Sequence, residues 1–228
     1  MNIIDPEGFD TVVREAIEAG IPVVAFNVDD HATPNARLSA VNQRLYDAGK
    51  TLGLEAAKFI PDGSEVLMTM HDEGISALED RLRGAQDGLR EAGRKNVTWK
   101  VVISGNTVAG SAEVIAKELK SNPRIKVVLC TGQADTEGAG IAISTRFSGQ
   151  DYQAAGFDLS PEILRHIKQG HIAFTIDQQP YIQGFYPVVQ LTLYHRYGIM
   201  PTSMDAGATL IMRENADSVL ELAMKHYR

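Results

Sequence analysis

Residues 99–131 read WKVVISGNTVAGSAEVIAKELKSNPRIKVVLCT, and the fold class follows from this stretch. Trp99-Lys100-Val101-Val102-Ile103 is an apolar run of strand length, and Lys126-Val127-Val128-Leu129-Cys130-Thr131 is a second. Between them, residues 111–119 carry apolar side chains at helical spacing and close before Asn122-Pro123, a pair that ends a helix. Two strands joined by one helix within about thirty residues make a βαβ unit, whose strands lie parallel.

The same rhythm runs outward in both directions. Strands are expected at 21–27, 37–42, 65–70, 153–158, 172–177 and 209–213, with helices at 8–19, 45–59, 76–92, 136–145, 161–168 and 181–197. Pro61-Asp62-Gly63 stops one helix, and Ser160-Pro161 starts another as an N-cap followed by a first-turn proline. The expected fold class is α/β, built on Rossmann-like parallel sheets.

Twenty-two basic against twenty-nine acidic residues give a net charge of -7, the wrong sign for a surface that collects nucleic-acid phosphates. A 44% hydrophobic content is enough to build cores, and no apolar run reaches the roughly 18 residues of a membrane helix. Met1 to Pro6 lacks the charged and apolar layout of an export signal. One cysteine, Cys130, forms no internal disulfide and reads as the buried end of a strand.

Catalytic chemistry finds little support. The histidines at 31, 71, 166, 171, 195 and 226 show no metal-ligand spacing, so neither a metal nor a cofactor is implied. Gly138-Ala139-Gly140 is half of a dinucleotide fingerprint but lies inside a helix, where small residues serve close packing. The acidic pairs Asp29-Asp30 and Asp72-Glu73 read as caps or solvated loops, and Ser104 has no identifiable histidine partner. The expectation is a protein that is not an enzyme.

In parallel α/β sheets, ligands bind beyond the carboxyl ends of the strands. The residues at those ends here are Asn27, Asn106, Gln133 with Asp135, Asp158 and Gln178, while His71 follows the 65–70 strand and Arg81 lies on the next helix. Amides, carboxylates and a guanidinium are planar groups able to bridge adjacent hydroxyls, so the set points to a neutral sugar or polyol.

Several segments together resemble a known family. They are Ala19-Gly20-Ile21-Pro22-Val23-Val24, Ala36-Arg37-Leu38-Ser39-Ala40-Val41-Asn42-Gln43 leading to Tyr46-Asp47-Ala48-Gly49, and Asp80-Arg81-Leu82-Arg83-Gly84. Ala155-Gly156-Phe157-Asp158 and the run from Phe174 through Gln178-Gln179-Pro180-Tyr181 to Gly184 continue the match. In order and spacing they resemble the type I periplasmic binding proteins of sugar ABC importers, in the ribose- and galactose-binding branch.

The resemblance implies two lobes that close on a hinge over a monosaccharide or polyol, and a membrane permease as partner. It makes Arg81, Asp158 and Gln178 ligand contacts, with Asn27 where a relative uses Asp followed by Arg; Val28 replaces that Arg here. The family's Asn-Asp pair reads Gln133-Ala134-Asp135, which leaves Asp135 as the aligned contact. These departures leave an inositol-like polyol, a pentose or a hexose open as ligand.

The family also has two strand–helix units ahead of the strand that Met1-Asn2-Ile3-Ile4 resembles. By this mapping residues 1–42 and 179–204 form an incomplete first lobe, and residues 43–178 and 205–228 a complete second lobe. An apolar edge at Ile3-Ile4 then implies self-association or pairing with a separate or cleaved front-half chain, the alternative being a simply truncated sequence, and weak sugar binding by this chain alone. The family location is periplasmic. The alternative is a cytosolic ligand-sensing domain related to lac-repressor-type regulators, which share the two-lobed effector domain.

Overall fold

The computed structural model describes residues 1–4, 6–29 and 35–228; Asp30 and His31 lie outside them. In chain order the elements are α1 (Pro6–Glu18), β1 (Val24–Asn27), β2 (Ser39–Asn42), α2 (Leu45–Ala56), β3 (Glu65–Met70), α3 (Ser76–Glu91), β4 (Thr98–Ile103), α4 (Val108–Ser121) and β5 (Val127–Cys130). They continue as α5 (Gln133–Arg146), β6 (Gln153–Phe157), α6 (Pro161–Gln169), β7 (Ile172–Asp177), α7 (Pro180–Tyr197), β8 (Met204–Asp205), β9 (Thr209–Ile211) and α8 (Ala216–Met224). The chain divides into two compact units, one of Met1–Arg44, Ile75–Ala77 and Gln178–Gly207, the other of Leu45–Gly74, Leu78–Asp177 and Ala208–Arg228.

The larger unit is a six-stranded sheet in the order β4-β3-β5-β6-β7-β9, parallel except for β9, which runs antiparallel to β7. Its strands read as continuous apolar runs because both faces are covered. Leu67, Val128 and Cys130 join the core beneath α4, α5, α6 and α8, while Val66, Met68, Val127 and Leu129 join the core beneath α2 and α3. Alternate residues thus serve opposite layers, as a two-residue strand period requires.

Two helices meet without side chains between them. Gly49 and Gly53 on α2 face Gly84 and Gly88 on α3, and a β-carbon at Gly84 would lie 2.1 Å from the Tyr46 carbonyl oxygen. One at Gly49 would lie 2.2 Å from the Arg81 carbonyl oxygen, so these glycines set how closely the Arg81 segment is held. Gly138 and Gly140 likewise pack α5 against Ser111 and His166, the close-packing role expected of them.

Cys130 is fully buried, its Sγ donates to the Asp135 carbonyl oxygen at 3.3 Å, and burial pushes its thiol pKa well up. It is a core residue.

The smaller unit holds a parallel sheet in the order β1-β2-β8. Residues 1–3 run beside β1, the Phe26 N–H donating to the Met1 oxygen at 2.8 Å and the Ile3 N–H to the Val28 oxygen at 2.9 Å. Helix α7 packs on β1 and β2. Only Gln183 and Pro187 of it are buried, while Tyr181, Phe185, Val188 and Tyr197 are exposed.

Several expected boundaries shift. The 21–27 strand begins only at Val24, and the 153–158 strand ends at Phe157 because Asp158 turns to a φ of 71°. The 209–213 strand ends at Ile211. Two elements have no counterpart in the sequence reading: β8, two exposed residues long, and α8.

Candidate functional site

Five parallel strands of the larger unit end on one edge, and His71, Asn106, Gln133 and Asp158 lie just beyond the ends of four of them. Asn106 is exposed in the loop beyond β4, and His71 is half-buried directly after β3. Gln133 is exposed at the first position of α5, and Asp158 is half-buried directly after β6. Asn27 and Gln178 belong to the smaller unit; Asn27 ends β1, and the Gln178 carbonyl oxygen accepts from Gln183 Nε2 at 2.5 Å.

Arg81 reaches this edge of the larger unit from α3. Its guanidinium carbon lies 4.1 Å from the centroid of the Phe157 ring, and Nη1 donates to the Thr131 carbonyl oxygen at 2.9 Å. Those partners mark the ends of β6 and β5. Only 4% of the residue is exposed. Burial lowers the guanidinium's pKa, and the charges of Asp158 and then Asp135 oppose that. Stacking on one face leaves a planar donor fork fixed in direction, which a flexible ammonium would not provide.

Backbone strain gathers at the strand ends. Asn27, Asp158 and Gln179 hold left-handed φ values of 63°, 71° and 53° without being glycine, each at a cost of roughly 1 kcal/mol. Asn and Asp tolerate this region better than most residues, and it turns each chain sharply off its strand.

Asp135 requires a correction. The sequence reading made it a ligand contact, but its side chain is fully buried. Oδ2 accepts from Thr69 Oγ1 at 2.7 Å and from the Thr131 N–H at 2.9 Å, and Oδ1 accepts from the Gly132 N–H at 3.0 Å. As the third residue of α5 it satisfies N–H groups at the helix start, and it ties β3 to β5. Gln133, which the sequence reading set beside Asp135 beyond the end of β5, is by contrast exposed.

Burial raises the Asp135 pKa to about 6, against the lowering effect of these hydrogen bonds. The native state therefore binds this proton at higher pH than the unfolded chain does, so stability from this group falls as pH rises from about 4 to about 6. Between pH 7.5 and pH 4.5, urea unfolding is expected to show wild type gaining about 2 kcal/mol relative to Asp135→Asn. Parallel pH curves for the two proteins would contradict this.

The model of the periplasmic binding protein domain matches residues 1–195. The chain belongs to this family. The xylose/arabinose-binding protein XylF of Sulfolobus acidocaldarius is 30% identical over 237 residues, covering 96% of this chain and 58% of that protein. The ribose import binding protein RbsB of Escherichia coli is 27% identical over 180 residues, covering 79% of this chain and 59% of its own length. This chain thus spans less than three fifths of these relatives.

Among solved structures of the fold, a carbohydrate transporter from Acidothermus cellulolyticus in complex with myo-inositol superposes with a TM-score of 0.85 at 27% identity. The match covers all of this chain and 78% of that one. Among the described residues, no helix is long and apolar enough to cross a membrane.

Proposed function

We propose that the chain is the sugar-recognition part of a substrate-binding protein of an ABC importer, working outside the cytoplasmic membrane with a permease and making or breaking no bonds. The observation that carries this reading is the strand-end edge of the larger unit. Arg81, stacked on Phe157, lies beside Asp158, with His71, Asn106 and Gln133 on neighbouring loops. Planar donors and acceptors in this arrangement suit the vicinal hydroxyls of a pentose or a cyclic polyol. Asn27 and Gln178 are further contacts in this reading. The relatives' names, xylose/arabinose and ribose binding, and the myo-inositol complex support the same ligand class.

Residues 1–42 and 179–204 are read as an incomplete first lobe, and residues 43–178 and 205–228 as a complete second lobe. The three short strands of the smaller unit against six in the larger support this. So do the exposed Ile4 and Phe26 and the bare apolar face of α7, a helix of the kind normally buried. In this reading a second copy or a separate front-half chain covers that face.

NMR titration of the chain with D-xylose, L-arabinose, D-ribose and myo-inositol tests the reading. Weak, saturable shifts are expected around His71, Asn106, Gln133 and Asp158. No shift with any of the four, or shifts confined to other loops, would overturn it. Micromolar affinity of the lone chain would instead show that the first lobe is not deficient. Sedimentation is expected to show association at high concentration, and a monomer throughout would remove the uncovered-face argument.

A further inference from the structure

The last residues of the larger unit hold a buried carboxylate that the ligand edge does not use. Helix α8 ends with the His226 N–H donating to the Ala223 oxygen at 3.1 Å and the Tyr227 N–H to the Leu222 oxygen at 2.9 Å. This pair of bonds reverses the chain direction, and the left-handed position that makes it possible is normally glycine. Here it is His226, with a φ of 57°. A residue with a β-carbon accepts that conformation at some cost, and the reversal carries Arg228 back toward the sheet.

Arg228 Nη2 lies 2.9 Å from Asp177 Oδ2. The Asp177 side chain is 1% exposed and that of Arg228 25% exposed, so the ion pair is largely shielded from water. A carboxylate removed from solvent this completely depends on its cationic partner. Asp177 is the final residue of β7, paired in register with Thr209 of β9. Gln178 follows it directly, and the strained Gln179 comes next.

We propose that Arg228 is a positioning residue for the Gln178 turn: its ion pair with Asp177 pins the end of β7 and fixes the backbone from which Gln178 projects. The structural claim stands on the ion pair and the chain reversal. Its consequence for ligand affinity rests on the reading of Gln178 as a ligand contact. Arg228 touches no ligand and acts only through Asp177.

The test compares the full chain with Arg228→Gln, Arg228→Lys, Asp177→Asn and the Asp177→Asn/Arg228→Gln double variant. Amide hydrogen exchange is read on peptides covering residues 174–180, with β5 peptides as an internal reference. Arg228→Gln is expected to speed exchange at 174–180 at least tenfold while β5 changes far less. Arg228→Lys should recover part of the protection, and the double variant most of it, because the two charges of the ion pair are removed together. Exchange within twofold of wild type in Arg228→Gln, or equal acceleration in β5, would overturn the proposal.

D-xylose titration of the same variants separates the two claims. A tenfold weakening in Arg228→Gln that matches Gln178→Ala supports positioning through Gln178. Unchanged affinity in Arg228→Gln, when Gln178→Ala weakens it, overturns positioning. Absence of D-xylose binding by wild type counts against the ligand reading alone, and the exchange result then decides the proposal by itself.

Discussion

Replacing Arg81 with methionine is expected to lower stability by at least about 3 kcal/mol and to remove every sugar-induced shift at the strand-end edge. Methionine keeps much of the volume but loses the stack on Phe157 and the bond to the Thr131 carbonyl oxygen. The fully buried Asp135 carboxylate also loses the nearby guanidinium charge that Arg81 supplied. Urea unfolding reads the first effect and NMR titration with D-xylose the second. Arg81→Lys separates charge from shape, since it restores the charge without the planar fork. It is expected to recover part of the stability and little of the binding. Wild-type affinity in Arg81→Lys would reduce Arg81 to a structural cation.

The second large effect is expected at Gly84. Its β-carbon would lie 2.1 Å from the Tyr46 carbonyl oxygen and 2.7 Å from the Lys50 nitrogen, both backbone atoms that no rotamer change can move aside. Helices α2 and α3 would have to separate by about an ångström, which a close-packed core resists. Gly84→Val is therefore expected to destabilise by about 3 kcal/mol or more, at the upper end of overpacking costs. Because the contact lies one turn of α3 beyond Arg81, surviving folded protein should also lose sugar response. A urea midpoint unchanged from wild type would show that the two helices do not meet along this glycine seam.

The larger unit was the more legible of the two. Glu65–Met70 and Ile172–Asp177 are buried on both faces, so their apolar runs announce the strands without ambiguity. Met204–Asp205 is only two exposed residues, and nothing in its composition separates it from a loop. Helix α8 did carry a signal, Asn215 before an apolar pattern at Val219 and Ala223, but the segment is short and follows a strand closely. Of the candidate site, the position of Arg81 and Asp158 as planar groups near strand ends was legible. Asp135 was misread because a carboxylate at the third position of a helix looks the same in sequence whether it meets a ligand or satisfies backbone N–H groups. Only the bonds from Thr69, Thr131 and Gly132 distinguish the two.

The lone thiol offers a built-in clock. Cys130 sits in the middle of the six-stranded sheet, flanked by β3 on one side and β6 on the other, with no accessible surface. A thiol-specific reagent reaches it only when that sheet comes apart, because the reactive thiolate is both disfavoured by its surroundings and shut away from water. The speed at which the unmodified protein consumes such a reagent therefore times the rupture of its central scaffold. No foreign probe has to be introduced.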